Sequence, residues 1–171
     1  MTHLKSGRLR PVFFNALSVL TSTLFFLGPT VQAEPLVYQP LIQNAQASQL
    51  ERITLKLASQ TIEVEVADTE PTRSLGLMFR THLPANEGML FVFDAPHRPC
   101  FWMKNTYIPL SIAFITDTGR IASIHDMHAE STDTHCPTQP ILYALEMNQG
   151  WFQRHRITVG EKIIGLPNQI D

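Results

Sequence analysis

The stretches "ITLKLA", from Ile53 to Ala58, and "IEVEVAD", from Ile62 to Asp68, constrain the fold most, because in both the apolar side chains recur at every second residue. Successive side chains of a strand point to opposite faces, so Ile53, Leu55 and Leu57 share one face. Ile62, Val64 and Val66 do the same, with Glu63 and Glu65 on the other side. Only Ser59, Gln60 and Thr61 lie between the runs, a spacing that predicts a hairpin with one wet face.

Beyond the hairpin the period shifts in "TEPTRSLGLMFR". Thr69 can cap a helix there, and Pro71 is tolerated in its first turn because the missing amide would have had no partner. Leu75, Met78 and Phe79 then share a face, Arg73 and Arg80 fall on the opposite side, and Gly76 keeps the helix short. "LPANEG" reads as a loop and "MLFVF" as a central strand; Pro96 and Pro99 disfavour regular structure across "DAPHRP". "CFWMK" and "LSIAFIT" follow as strands, and "DTG" before "RIASIH" predicts a second hairpin. Asp126 to Pro140 is a long irregular segment, of the length that is usually functional or tied down. "ILYALEMN" is a strand, "GWFQRH" a helical turn and "EKIIGL" a closing strand. Together these predict a mainly β fold, a compact antiparallel β-sandwich or barrel with one or two short helices.

Ahead of this domain the chain begins with basic "MTHLKSGRLRP" and apolar "VFFNALSVLTSTLFFLG", the pattern of a secretory signal peptide over residues 1–33. Val31 and Ala33 supply small residues for cleavage before Glu34. The rival is an uncleaved anchor, since Val12 to Gly28 approaches the roughly 18 to 20 apolar residues that span a bilayer. Asn15, Ser18, Thr21 and Ser22 dilute it, so the expected product is exported, periplasmic or secreted, without stable membrane insertion. Residues 34–50 read as a linker or arm, and residues 51–171 as one β-rich domain. Removing Lys5, Arg8 and Arg10 from thirteen basic residues leaves ten against fifteen acidic ones, a net charge of minus five. Nucleic acid is therefore excluded as an expected partner, because binding a polyanion relies on clustered lysine and arginine.

Three constellations could carry chemistry. Cys100 and Cys136 are the only cysteines, and an oxidising compartment favours a disulfide between them over two buried thiols. No C-x-x-C motif accompanies them, so a catalytic cysteine is not expected. His125, Asp126, His128 and His135 offer zinc or copper ligands within eleven residues, although the same residues also suit a wet loop. Arg73, Trp102, Lys104, Asn105 and Asn148 place cationic and amide donors beside an aromatic ring, a set suited to a small polar or anionic ligand such as a carboxylate or sugar. Alternatively, Lys104 pairs with Glu146 and the asparagines satisfy turn backbone. No hydrolase, zincin or phosphate-loop motif is present, and no cofactor is implied.

"TRSLGLMFR", "LPANEGMLFVFD", "FWMKNTYIPLSIAFI", "GRIASIHDM" and "YALEMNQGWFQRHRITVGEKI" occur in an order and spacing that resembles the domain of unknown function 192 family from Ile53 to Ile163. The resemblance implies a compact β fold, often behind a signal peptide, and brings no established activity or catalytic residues. The leading expectation is a non-enzymatic small-ligand-binding or accessory module of the cell envelope. The alternatives are a metal-assisted enzyme built on the His125 to His135 loop, and a protein-interaction domain whose partner covers Trp151 and Phe152.

Overall fold

A computed structural model of the chain describes residues 50–168. The signal-peptide segment and all of the linker before Leu50 lie outside the described residues. Strands β1 (Arg52–Leu57) and β2 (Gln60–Ala67) form the first hairpin, in antiparallel register with Leu57 opposite Gln60. The turn is therefore tighter than the sequence suggests, and Ala58 takes it with a φ of 48°. Helix α1 (Glu70–Leu75) starts where Thr69 accepts a hydrogen bond from the Thr72 amide, with Thr72 completing a capping box. β3 (Glu87–His97), β4 (Leu110–Ile115), β5 (Ile121–Met127) and β6 (Ile141–Asn148) follow. α2 (Trp151–Arg154) and β7 (Ile163–Ile164) close the fold.

All seven strands belong to one curled sheet in the order β5-β4-β6-β3-β2-β1-β7. Its two edges approach each other at one end. There Arg120 bridges Lys162, the Ile121 amide donates to Glu161, and the Ile163 amide donates to Gly119, while β7 pairs with β1. The expected barrel-like β architecture is thus present, with one correction: β2 and β3 run parallel. A parallel pair needs a crossover, and α1 with its trailing loop supplies it.

β3, β4 and β6 lie inside the sheet and are buried on both faces, which is why "MLFVF" is continuously apolar and "LSIAFI" is apolar but for the buried Ser111. The inner face packs Leu55, Val64, Leu90, Ala113 and Leu145 against Trp151, Phe152 and Ile157. The outer face packs Met89, Phe91, Ile112 and Phe114 under Leu77, Met103 and Ile108. Trp151 and Phe152 are each 1% exposed, so these two side chains of the α2 turn belong to the core, while Gln153 and Arg154 are exposed.

Three further expectations are corrected. The helix stops at Leu75 because Gly76 turns to a φ of 50°, so Leu75 and Phe79 face solvent and Leu77 takes the buried position. β3 continues through Pro96 to His97, which is possible because the register with β6 breaks after Val92 and the proline nitrogen sits where the ladder is interrupted. "CFWMK" is not a strand. Phe101 alone pairs, with His135, and Asn105 at a φ of 60° turns the chain away.

Two contacts fix the outer layer. Arg80 grips Glu65 with two hydrogen bonds of 2.8 and 2.6 Å, and Arg52 joins Glu65 and Glu87. The Arg80 bond holds the Glu65 carboxyl below its ordinary range, so its stabilisation is present above the unfolded pKa and is lost as pH falls through the folded one. Arg80→Ala should cost about 1–3 kcal/mol, as expected for hydrogen bonds to charged groups, in denaturant titrations at pH 7. Gly88 is required by close approach: a Cβ there would stand 2.4 Å from both the Glu146 carbonyl oxygen and the Met147 sulfur. Gly88→Ala should lower the denaturation midpoint by the equivalent of about 2–3 kcal/mol, since β3 and β6 must part to admit a methyl group.

Candidate functional site

β6 presents Glu146 on the outer face of the sheet, beside Met89 of β3 and Ile112 of β4. Neither cross-strand neighbour can meet a carboxylate. Glu146 is 4% exposed, and among the described residues no hydrogen bond or ion pair reaches its side chain. Burial alone pushes its carboxyl up to about 8.

Above the sheet, α1 and the Gly76–Met78 turn form one wall of an open pocket of about 410 Å³. Phe91 and Phe93 of β3, the Pro99–Trp102 segment and Thr106 complete it, with Glu146 among the lining residues. Exposure grades from Trp102 and Leu75, 50% and 54% exposed, to Thr106 and Glu146, 5% and 4% exposed. The carboxyl is therefore at the floor and the tryptophan at the rim. Phe101 stands edge-on to Phe91, with centroids 5.0 Å apart at 84°, and to Phe93, 6.5 Å apart at 81°.

Of the five ligand candidates read from the sequence, Arg73 and Trp102 line this pocket and the other three do not. Arg73 is already engaged: it donates to the Asp68 carbonyl and, at 2.8 Å, to the Val92 carbonyl, approaches Asp94 at 3.8 Å, and lies over the Phe93 ring at 5.4 Å. The Lys104 amine sits 5.6 Å from the centroid of Trp102, so the alternative pairing of Lys104 with Glu146 does not form. Asn105 contributes its carbonyl to the Phe79 amide, and Asn148 donates to the Leu83 and Pro84 carbonyls at 3.0 Å each. Both asparagines hold loops.

The histidine set does not converge. His125 and His135 bring their rings within 6.1 Å, but Asp126, next along the strand, faces the other way and accepts from the Ser111 hydroxyl. His128 is exposed, and among the described residues no three of His, Cys, Asp or Glu are grouped to hold a metal. Burial, and then the charge of His135, lowers the His125 pKa.

Cys100 and Cys136 are joined in a disulfide across a sequence separation of 36 residues. Reciprocal bonds between Phe101 and His135, and one from Met103 to Ser131, lay the long loop against the pocket wall to which Cys100 belongs. Both cysteines are exposed.

A curled β-sheet with an aromatic pocket on its outer face and an acid at the pocket floor defines a β-rich pocket protein. Residues 53–165 match the family model of domain of unknown function 192, described as an uncharacterized ACR, and the chain belongs to that family. A Sinorhizobium meliloti 1021 protein of known structure, provisionally called a transcription regulator, is similar at 35% identity and a TM-score of 0.63, over 67% of this chain and 92% of its own. A Novosphingobium aromaticivorans protein of unknown function is similar at 32% identity and a TM-score of 0.65, over 69% of this chain and 88% of its own. No curated protein matches.

Proposed function

We propose that the protein is an exported small-ligand-binding or accessory module of the cell envelope, and that the pocket floored by Glu146 is its site. One observation carries this reading: a glutamate 4% exposed, with no side-chain partner among the described residues, lines an open pocket that four aromatic rings surround. An unpaired buried carboxyl is unfavourable unless something else meets it, so a ligand is its natural complement. Export is supported by the basic-then-apolar leader before Glu34 and by the disulfide, which an oxidising compartment preserves. Among the described residues no helix is long and apolar enough to cross a membrane.

Thermal-shift screening of the purified protein against small sugars, amines and carboxylates tests the site. A hit should raise the melting temperature of the wild type and lose that effect in Trp102→Ala. A flat response across the panel would remove the reading. N-terminal sequencing of the envelope form should begin at Glu34, and a chain beginning at Met1 would contradict cleavage.

A further inference from the structure

We propose that the pocket selects a cationic ligand, an amine or quaternary ammonium on a compact apolar or aromatic body, with the Glu146 carboxylate as its counter-ion and Phe91, Phe93, Phe101 and Trp102 as its surround. This rests on the pocket being the ligand site. Three observations on the lining residues lead there.

First, the charges are uneven. Glu146 and Glu70 are the acids and Arg73 is the base among the lining residues, and the Arg73 guanidinium is already taken by two carbonyl oxygens and Asp94. An anion would meet a carboxyl at the floor, while the nearby cations are Arg73, already engaged, and Lys104, outside the lining and over Trp102 at the rim. A cation finds there an acid that no hydrogen bond or ion pair from the described residues engages.

Second, the surround suits positive charge. Aromatic faces carry the negative lobe of the ring quadrupole and attract cations within about 6 Å of the centroid. The protein already uses these rings in that way, with Arg73 over Phe93 at 5.4 Å and Lys104 over Trp102 at 5.6 Å. Third, a volume of about 410 Å³ admits a single small molecule.

The proton on Glu146 gives the proposal a signature. Its strand neighbours, Met89 and Phe91 on β3 and Ile112 and Phe114 on β4, are apolar. Besides Glu146, the charged lining residues are Glu70 and Arg73 of α1; Asp94 of β3 stands beside Arg73, and the Lys104 amine lies over Trp102 at the rim. His125 is the titratable group of β5 on this face; burial, and then the charge of His135, lowers its pKa and favours the neutral ring. With its carboxyl up at about 8, Glu146 is mostly protonated in the empty pocket at pH 7. A permanent cation must displace that proton, so its affinity rises with pH, by about tenfold between pH 7 and pH 9.

Calorimetric titration of the full chain with benzyltrimethylammonium, benzyl alcohol and benzoate, at pH 7 and pH 9, provides the test. The ammonium should bind at least tenfold tighter than the neutral and anionic probes, and tighten about tenfold at the higher pH. Glu146→Gln should remove both effects. Equal binding of benzyl alcohol, or a wild-type affinity for the ammonium that is flat in pH, would overturn the cation preference and leave the pocket as a ligand site. Binding of none of the three would also overturn it, while the broader screen decides separately whether the pocket binds anything. Because the pH comparison is made on the wild type, the test stands even if the variant is poorly folded.

Discussion

Glu146→Gln is expected to make the protein more stable, by an amount that grows with pH. In the unfolded chain Glu146 ionises at the ordinary glutamate value of 4.5, and in the folded protein at about 8. Between those values folding takes up a proton, so stability is full below the lower value, falls as pH rises, and is level above the higher one. Each pH unit in that window removes about 1.4 kcal/mol, for a total on the order of 5 kcal/mol at pH 9. Glutamine keeps the shape and carries no such cost. Urea titrations at pH 5, 7 and 9 should show the variant pulling ahead of the wild type. Other groups, including Glu65 and His125, titrate alike in both proteins and cancel in the difference. A difference independent of pH would mean that Glu146 has a partner. Stabilisation together with lost binding is what distinguishes a functional acid from a structural one.

Removing the disulfide has the second largest expected effect. Cross-linking across a sequence separation of 36 residues restricts the unfolded chain, and the loop-closure relation places its contribution at about 3 to 4 kcal/mol. The double variant Cys100→Ser, Cys136→Ser should lose that much in urea titration, and added dithiothreitol should destabilise the wild type similarly and leave the variant unaffected. Both sulfurs belong to exposed residues, so the reductant has access. Ligand affinity should fall as well, because Cys100 is part of the pocket wall and the bridge ties that wall to the loop carrying His135. An unchanged midpoint in the variant would show that the backbone bonds between Phe101 and His135 hold the loop alone.

What the sequence makes legible follows from how local each signal is. The β1–β2 and β4–β5 hairpins, the Thr69 cap and the α2 turn depend on neighbouring residues, and each forms where its residues point. The parallel β2–β3 pair depends on where a crossover returns the chain, which period-two patterns do not encode. "CFWMK" misleads for a related reason: buried Met103 between exposed Trp102 and Lys104 imitates a strand, but its backbone has no ladder partner beyond Phe101.

The site divides in the same way. Arg73 and Trp102 are polar and aromatic residues on the segments that build the pocket, and they are found there. Glu146 is visible in "ILYALEMN" as an acid out of step with its apolar neighbours, yet it reads as the partner of Lys104, whose amine instead rests on Trp102. A usable signal is present. "LSIAFI" is apolar at every position except Ser111, which marks a strand buried on both faces, and an acid facing outward from the strand beside it must then be buried too. Thr106 and the phenylalanines of β3 carry no such mark, because only the folded sheet brings them beneath α1.

The most direct measurement is a carbon-13 NMR titration of the Glu146 side-chain carboxyl, assigned by its disappearance in Glu146→Gln. An inflection near 8 is expected in the empty protein, moving downward when a cationic ligand is added. An inflection near the ordinary value of 4.5, unaffected by ligand, would contradict the buried, unpartnered acid on which the proposed site depends.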